Sequence, residues 1–284
     1  MRFSVITPSF RSSHWLKLCL PSVADQAVEL EHIVQDAGSD DGTLEWLPQD
    51  KRVTTFVEKD KGMYDAVNRG LKKASGEIFS YLNCDEQYLP DALKNVEAFF
   101  EQNPTVEIVF GDTIIINPRG EFLSYRKSLL PIKFHSMVSN NLSILTCATF
   151  FRRFVIEQRG LFFNSALRDL GDADWVIRCI EQKVPMALLN RFTSAFTDTG
   201  ENMNFKPNAI REKKELYDSA PRLAKALKGP IILHHRFRKL IAGGYSQKPF
   251  QYQIYTRADS EKRTSFEVSR PSGQWNPHLP SIQR

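Results

Sequence analysis

The segment from residue 58 to residue 86, EKDKGMYDAVNRGLKKASGEIFSYLNCDE, constrains the fold of this chain more than any other. After Gly62 its apolar residues recur at helical spacing, and Gly76 is placed to end the helix. Ile78–Leu82 then reads as a buried strand that leads directly into Asn83-Cys84-Asp85-Glu86. Because ligands of open α/β sheets bind beyond the carboxyl ends of strands, these carboxylates are suited to holding a divalent cation and a phosphorylated substrate. The alternative is a polar exit from the strand with an aspartate at a turn.

Strands and helices alternate along the first 112 residues. The predicted strands of this part are Phe3–Thr7, Leu30–Val34, Val53–Val57, Ile78–Leu82 and Ile108–Phe110. This order predicts right-handed βαβ units and an α/β fold with a mostly parallel, Rossmann-like sheet flanked by helices. From residue 113 to residue 200 the order is mixed, with a predicted hairpin over residues 113–125, a strand at Cys147–Phe151 and a helix at Asp174–Gln182.

The character of the chain changes after residue 205. Between Lys206 and Lys239 there are ten Lys and Arg against three Asp and Glu, and the composition is helical. We interpret residues 206–256 as a basic helical C-terminal region, which is either simply solvated or an amphipathic surface for anionic lipid headgroups. Residues 257–284 are polar and contain three prolines, which predicts a disordered tail. Residues 1–205 are expected to form one domain, divided near residue 112 into an alternating half and a mixed half.

Composition excludes several classes of protein. The net charge of +5 permits an anionic partner without demanding one. The four cysteines are widely spaced among apolar neighbours, which indicates buried free thiols in a reducing compartment. No window approaches the roughly 20 apolar residues that cross a bilayer, and the first residues lack the pattern of a signal peptide. We therefore expect a cytoplasmic protein whose membrane contact, if any, is peripheral.

Three further groups of polar residues lie near predicted strand ends or helix starts. Asp36 follows the second strand and is suited to a base N–H or a ribose hydroxyl, or to an Asx turn. Asp60 and Lys61 precede the helix start at Gly62, where free N–H groups favour anions. Asp172 and Asp174 precede a helix, and either is suited to general-base work or to capping.

In this order the stations resemble the inverting family 2 glycosyltransferases with the GT-A fold, over residues 3 to 200. The segment from residue 36 to residue 43, DAGSDDGT, is similar to the family pattern DGxSxDGT, and Asn83-Cys84-Asp85 stands at the DxD station. The stretch DADWVIR from Asp172 resembles the family pattern DYDLWLR. Two positions depart from the family. Asn83 replaces the first acid of DxD, and Cys147 stands where relatives often have histidine.

The resemblance implies that residues 1–205 are the catalytic domain, with residues 1–112 as the nucleotide-sugar-binding half and residues 113–205 as the acceptor-binding half. It also implies a role for each matching residue. Asp172 would be the catalytic base, with Asp174 as the second choice, and Asp85 would bind Mn²⁺ or Mg²⁺ with a weaker contribution from Glu86. Asp36 would meet the base of the nucleotide, commonly uracil. The complete set of residues expected to bind the nucleotide sugar is Thr7, Pro8, Asp36, Asp60, Lys61, Asn68, Asn83 and Cys84.

The implied activity is transfer of a sugar from a nucleotide diphosphate, most commonly UDP, to a hydroxyl of a saccharide or lipid-linked acceptor, with inversion. Such enzymes serve the synthesis of bacterial cell-surface polysaccharides. One alternative is a sugar nucleotidyltransferase, but the chain has no glycine between Thr7 and Gly38 for a triphosphate loop. Another is a non-catalytic nucleotide-sugar binder. Nucleic acid is not an expected partner, because the basic region carries no recognised motif or stacking platform.

Overall fold

The computed structural model describes residues 1–139, 141–200 and 207–274. Within them a central mixed sheet is flanked by helices, and a separate two-stranded sheet lies near the C-terminal end. The strands are β1 (Phe3–Ser9), β2 (Leu30–Asp36), β3 (Thr54–Val57), β4 (Ile78–Tyr81), β5 (Glu86–Tyr88), β6 (Ile108–Ile116), β7 (Phe122–Arg126), β8 (Thr149–Arg152), β9 (Met186–Thr197), β10 (Phe250–Ile254) and β11 (Thr264–Val268). The helices are α1 (Ser13–Ala24), α2 (Thr43–Trp46), α3 (Met63–Lys73), α4 (Ala92–Gln102), α5 (Lys133–Ser139), α6 (Phe154–Glu157), α7 (Gly171–Glu181), α8 (Pro207–Ser219), α9 (Arg222–Ala226) and α10 (Lys228–Ile241).

The main sheet has a parallel half and a mixed half. Its strand order is β3-β2-β1-β4-β8-β6-β9-β5, with β7 paired to β6. The first four strands are parallel neighbours, as the alternating sequence predicts. Beyond them β8 runs antiparallel to both β4 and β6, and β5 runs antiparallel to β9. Since only residues 82–85 separate β4 from β5, a crossover to a parallel neighbour is impossible there, and β5 joins the far edge of the sheet instead.

Helices α3 and α7 pack into one apolar core that also contains side chains of β1 and β8. From α3, Val67 and Leu71 are buried in it, and from α7 the indole of Trp175 stacks on Phe163 with ring centroids 5.1 Å apart. Because both helices share this core with the sheet, the start of α7 has a fixed position relative to the ends of the strands.

The C-terminal region differs in part from the sequence prediction. Residues 207–241 are helical apart from short connections, as expected, but the region ends in β10, and β11 lies inside the predicted disordered tail. The two strands form an antiparallel hairpin. Its buried Tyr252, Ile254 and Val268 pack on side chains of β6 and β9 in the main sheet. Apolar residues alternate with polar ones in both strands, so their strand pattern is hidden by a polar overall composition. Residues 275–284 of the predicted tail, and the predicted domain boundary at residues 205 and 206, lie outside the described residues.

In the part of the chain that the structure describes, no helix combines the length and the apolar character that a membrane span requires.

The close approach of α3 to the sheet yields the first testable prediction. A Cβ added at Gly70 would lie 2.5 Å from Cγ2 of the buried Ile6 in β1. Because a β-branched core side chain cannot swing away, we expect Gly70→Ala to lower the free energy of unfolding by about 1–3 kcal/mol. Urea denaturation followed by circular dichroism measures this change.

The matched control is Gly229→Ala in α10, where an added Cβ would meet no atom within 4 Å. We expect that substitution to leave stability unchanged or to raise it by up to about 1 kcal/mol, since alanine favours helix over glycine. A Gly70→Ala protein as stable as the Gly229→Ala protein would contradict the tight packing of α3 on β1.

Candidate active site

A cavity of about 450 Å³ lies beyond the carboxyl end of β4. Its walls come from the loop after β4, the start of α7, the segments after β7 and before β8, and the C-terminal helices α8 and α10. Asp85, Glu86 and Asp172 all line it. The structure therefore brings the predicted metal station and the predicted catalytic base to the same cavity.

Asp85 and Glu86 form an acidic pair on one wall of this cavity. Glu86 is only 1% exposed, and its Oε2 accepts a hydrogen bond of 2.7 Å from the backbone N–H of Asn83. Burial raises the pKa of both carboxyls, and the charge of Asp85 raises the pKa of Glu86 further. A bound cation would relieve this cost, because it favours the ionised form of each carboxyl.

The donor set of the acidic pair suits a hard divalent cation. Two carboxylates and the amide of Asn83 offer oxygen ligands at one wall. Among the described residues, no group of three or more His, Cys, Asp or Glu is arranged to hold a metal. The residues therefore fit an ion that completes its shell with waters and substrate oxygens, as Mg²⁺ and Mn²⁺ do beside phosphates.

Asp172 lies in the first turn of α7, half-buried in the lining of the same cavity. Its Oδ1 accepts a hydrogen bond of 2.7 Å from the backbone N–H of Ala173. Its own backbone N–H donates to the hydroxyl of Tyr64 at 3.1 Å. Burial raises the pKa of the Asp172 carboxyl to about 6, although these hydrogen bonds oppose the shift. An aspartate of this pKa is largely ionised at neutral pH and still basic enough to take a proton.

Glu212 of α8 holds the segment that leads into α7, and sequence reasoning missed it. Its buried carboxylate accepts hydrogen bonds from three consecutive backbone N–H groups, those of Arg168, Asp169 and Leu170, at 2.9–3.1 Å. Burial alone would raise the pKa of Glu212, but these bonds and one from Asn208 outweigh it, so the pKa lies below its ordinary value. In the sequence the residue is one of three acids among three cations of α8, with no local signal of this contact.

Two predicted site residues have structural duties instead. The amide of Asn68 is buried and exchanges hydrogen bonds with the backbone of Phe163, giving at 2.7 Å and accepting at 2.9 Å. Contact of Asn68 with the nucleotide sugar stays a prediction, and the structure gives its amide a structural contact with Phe163. Asp174, the second choice for the base, is absent from the cavity wall and forms an ion pair of 2.8 Å with Arg178. Both residues match the spacing of the family motifs. The partner of Asn68 lies 95 residues away in the sequence, and that of Asp174 lies one helical turn further along α7.

The predicted nucleotide-binding loops lie next to the acidic pair rather than in the cavity wall. Asp36 is fully buried, and its two oxygens take hydrogen bonds from the backbone N–H groups of Gly38 and Ser39 and from the hydroxyls of Ser9 and Ser39. The thiol of Cys84 donates to the carbonyl oxygen of Pro8 at 3.3 Å, which ties the loop after β4 to the end of β1.

The other residues predicted to bind the nucleotide, Thr7, Asp60 and Lys61, do not line the cavity. The hydroxyl of Thr7 is buried and bonds to His32 at 2.8 Å, so its side chain faces the interior of the sheet. Asp60 accepts a hydrogen bond from the backbone of Gly62, and the side chain of Lys61 is exposed. Contact of Thr7, Pro8, Asp36, Asp60 or Lys61 with a nucleotide stays a prediction.

The cavity lining includes a group of basic side chains, which we call the basic wall. Arg126 and Lys127 at the end of β7 and Lys213, His235 and Lys239 of α8 and α10 line the cavity, together with the acidic Asp169, Asp172 and Asp198. Lys127 forms an ion pair of 2.8 Å with the buried Asp112. Burial lowers the pKa of Arg126, Lys213 and Lys239, and the charge of Arg126 lowers the pKa of Lys239 further. This wall favours an anionic group, because a nearby negative charge stabilises each of these cations.

A sheet of this order, with carboxylates at a strand end and a first-turn aspartate lining the same cavity, is the arrangement of a GT-A glycosyltransferase. The sequence model of Glycosyl transferase family 2 matches residues 4–160, more than half of the chain, and the protein belongs to that family. A "PGL/p-HBAD biosynthesis glycosyltransferase" of Mycobacterium bovis is 28% identical over 251 residues, which cover 84% of this chain and 92% of that protein.

Solved structures show the same fold at low sequence identity. S. aureus TarS has a TM-score of 0.61 and 19% identity, and the match covers 87% of this chain but 44% of that one. A shorter form of TarS was solved in complex with UDP-GlcNAc. The mannosyltransferase PcManGT of Pyrobaculum calidifontis, in complex with GDP-Man and Mn²⁺, has a TM-score of 0.53 and 18% identity, and the match covers 85% of this chain and 70% of that one.

The role of Glu212 is open to a direct test. We expect Glu212→Ala to leave three backbone N–H groups without their acceptor, that of Leu170 buried and the other two part-buried, which costs on the order of 1–3 kcal/mol of stability. The start of α7 should then shift and lower turnover, while the affinity for UDP changes little. Thermal unfolding and UDP binding by calorimetry measure the two effects.

The control is Glu215→Ala on the same helix, because Glu215 is exposed and pairs only with the exposed Arg211. We expect it to change stability by less than about 0.5 kcal/mol. Equal effects of the two substitutions would show that Glu212 does not hold the segment before α7.

Proposed function

We propose that the protein transfers a sugar from a UDP-sugar to an acceptor hydroxyl with inversion at the anomeric carbon. The single observation that supports this most is the placement of Asp85 and Asp172 on the same cavity, with the pKa of Asp172 raised to about 6. The TarS neighbour solved with UDP-GlcNAc supports a UDP-linked donor. Membership of the family disfavours the alternative of a sugar nucleotidyltransferase.

In this mechanism Asp172 accepts the proton of the acceptor hydroxyl. Its Oδ1 is engaged by Ala173, so Oδ2 is the oxygen that faces the incoming O–H. The acceptor oxygen forms a bond to the anomeric carbon as the bond from that carbon to the diphosphate oxygen breaks, and the electron pair leaves with the diphosphate. One displacement from the opposite side inverts the configuration. Base help of this kind contributes on the order of 10²–10⁴ in rate.

Asp85 and Glu86, with the amide of Asn83, would hold Mn²⁺ or Mg²⁺. When bound, such an ion stabilises negative charge on the leaving diphosphate. The neighbour solved with GDP-Man and Mn²⁺ is consistent with this requirement. Near the acidic pair, the loops that carry Pro8 and Asp36 would receive the nucleotide, because Cys84 and Ser9 connect them to the end of β4.

The acceptor is proposed to be a saccharide or a lipid-linked oligosaccharide in the synthesis of a cell-surface polysaccharide. The basic cavity wall supports an acceptor with a phosphate group, since Arg126 and Lys239 are cations in a partly dehydrated setting. A lipid-linked acceptor would place the enzyme in the cytoplasm, at the inner face of the cell membrane.

The base is tested by Asp172→Asn. We expect turnover to fall by at least about 10²-fold, because the amide cannot accept the proton, while UDP affinity stays within a few-fold. The measurement is release of UDP from a panel of UDP-sugars, with calorimetric UDP binding alongside. Asp174→Asn is the matched control and should retain most of the activity. A turnover that survives Asp172→Asn and is lost in Asp174→Asn would reverse the assignment.

The pH profile of the wild-type enzyme gives an independent reading of the same group. The base works in its ionised form, and its pKa in the folded state is raised to about 6. The turnover number should therefore be constant above that pH and fall about ten-fold per pH unit below it. A profile that remains flat down to pH 4.5 or so would exclude Asp172 as the base.

The metal station is tested by thermal unfolding with UDP and Mn²⁺. We expect the ion to raise the Tm of the wild-type protein in the presence of UDP, because it binds the folded state only. Asp85→Ala should lose this Mn²⁺-dependent increase, whereas Asp218→Ala, at an exposed ion pair of α8, should keep it. Activity that is unchanged by a chelator would remove the cation from the mechanism.

A further inference from the structure

Helix α10 has two faces of different character. His235 and Lys239, four residues apart, line the cavity. Leu233, Phe237 and Ile241 follow one another at the same four-residue step and lie on the other side of the helix. These three and Leu240 are 57–72% exposed. We call the four residues Leu233, Phe237, Leu240 and Ile241 the outer face of α10.

The outer face is unusual for a soluble protein surface. Single exposed apolar residues need no explanation, but four large ones on one face of one helix form a patch of the kind that marks an interaction site. Exposed apolar residues continue in the preceding turns of the chain, with Leu223 of α9 71% exposed and Leu227 44% exposed. On the inner side α9 and α10 are anchored, because Ala224 and Ile231 pack with the buried Met137 of α5. The apolar face therefore belongs to a held helix.

The charge around this face selects the partner. From Arg222 to Ile241 the chain carries six Lys and Arg and no Asp or Glu. Among them Arg222, Lys228 and Arg236 are exposed. In a two-fold dimer each face meets its own copy, so this surface would bring like charges together. A helix with an apolar stripe flanked by cations matches instead the interface of an anionic bilayer, where headgroups meet the cations and acyl chains meet the stripe.

We propose that the outer face of α10 docks the protein on an anionic lipid bilayer. Its purpose rests on the proposed function, since a lipid-linked acceptor would be presented at such a surface. The cavity-lining His235 and Lys239 belong to the same helix as the docking residues. The bilayer and the cavity are therefore separated by roughly one helix diameter, about 10 Å. An acceptor headgroup that rises from the bilayer enters the cavity beside the basic wall.

The experiment is co-sedimentation of the full chain with vesicles of phosphatidylglycerol mixed with phosphatidylcholine, compared with phosphatidylcholine alone. We expect binding to the anionic vesicles at low salt and a marked loss at high salt. The double substitution Leu233→Ser with Phe237→Ser should weaken binding at least about ten-fold, because it removes two apolar anchors. Arg236→Gln should weaken binding to anionic vesicles about five-fold and leave the zwitterionic control unchanged.

The matched control is Phe154→Ser, which removes a 40% exposed phenylalanine from α6. It should bind vesicles as the wild-type protein does. No binding to anionic vesicles at low salt would overturn the proposal, as would binding that the double substitution leaves intact. Sedimentation velocity decides a further outcome: a wild-type dimer that the double substitution converts to monomer, without vesicle binding, would make this face an interface between copies.

Binding of UDP with Mn²⁺, followed by thermal shift on the same variants, separates this proposal from the proposed function. The variants with substitutions on α10 should keep the wild-type increase in Tm with UDP and Mn²⁺. An unchanged increase also shows that they are folded. Vesicle binding without any UDP response would leave the docking surface established and refute the glycosyltransferase mechanism. A UDP response without vesicle binding would do the reverse.

Discussion

The contact between Tyr64 and Gly171 determines where Asp172, the proposed base, can lie. The ring of Tyr64 occupies the space at position 171, where an added Cβ would come within 2.5 Å of it. Its hydroxyl accepts the backbone N–H of Asp172, and its ring stacks on Phe163 at 5.7 Å. Because α3 is itself packed on the parallel half of the sheet, this contact transmits the position of the strands to the start of α7. Only glycine permits the approach.

The candidate site is assembled from distant parts of the chain. The segment after β4 supplies the acidic pair, the end of β7 supplies Arg126 and Lys127, and α8 and α10 supply the other cations of the basic wall. Glu212 of α8 also holds the segment before α7. The C-terminal helices are therefore part of the cavity rather than an addition to a finished domain. The hairpin of β10 and β11 also joins the C-terminal region to the N-terminal part of the chain. Arg263 at its turn pairs with Asp25 at the end of α1, with Nε and Oδ2 2.6 Å apart.

The sequence predicts those features whose signal is local. Asp85 follows a strand and Asp172 begins a helix, and the α/β order places both at one edge of the sheet before any contact is known. Asn68 and Glu212 could not be assigned in this way, because their roles depend on backbone groups 95 and 42–44 residues away. The strand pairing of the mixed half was also hidden, since the antiparallel pairing of β8 with β4 and β6 is a property of the whole sheet. The hairpin of β10 and β11 was not predicted either, because its polar residues outnumber the few apolar ones that form its buried side.

The electrostatics of the cavity explain how such a site can select its substrate. On one wall two carboxyls are buried together, and burial and mutual repulsion raise the pKa of Glu86. On the other wall burial and the neighbouring Arg126 lower the pKa of Lys239. Each wall is thus disfavoured within itself, since like charges are dehydrated side by side. A divalent cation would relieve the acidic pair, and a phosphate group of the proposed acceptor would stabilise Arg126 and Lys239. Each ligand would therefore gain affinity by relieving the cost of burying charges of one sign.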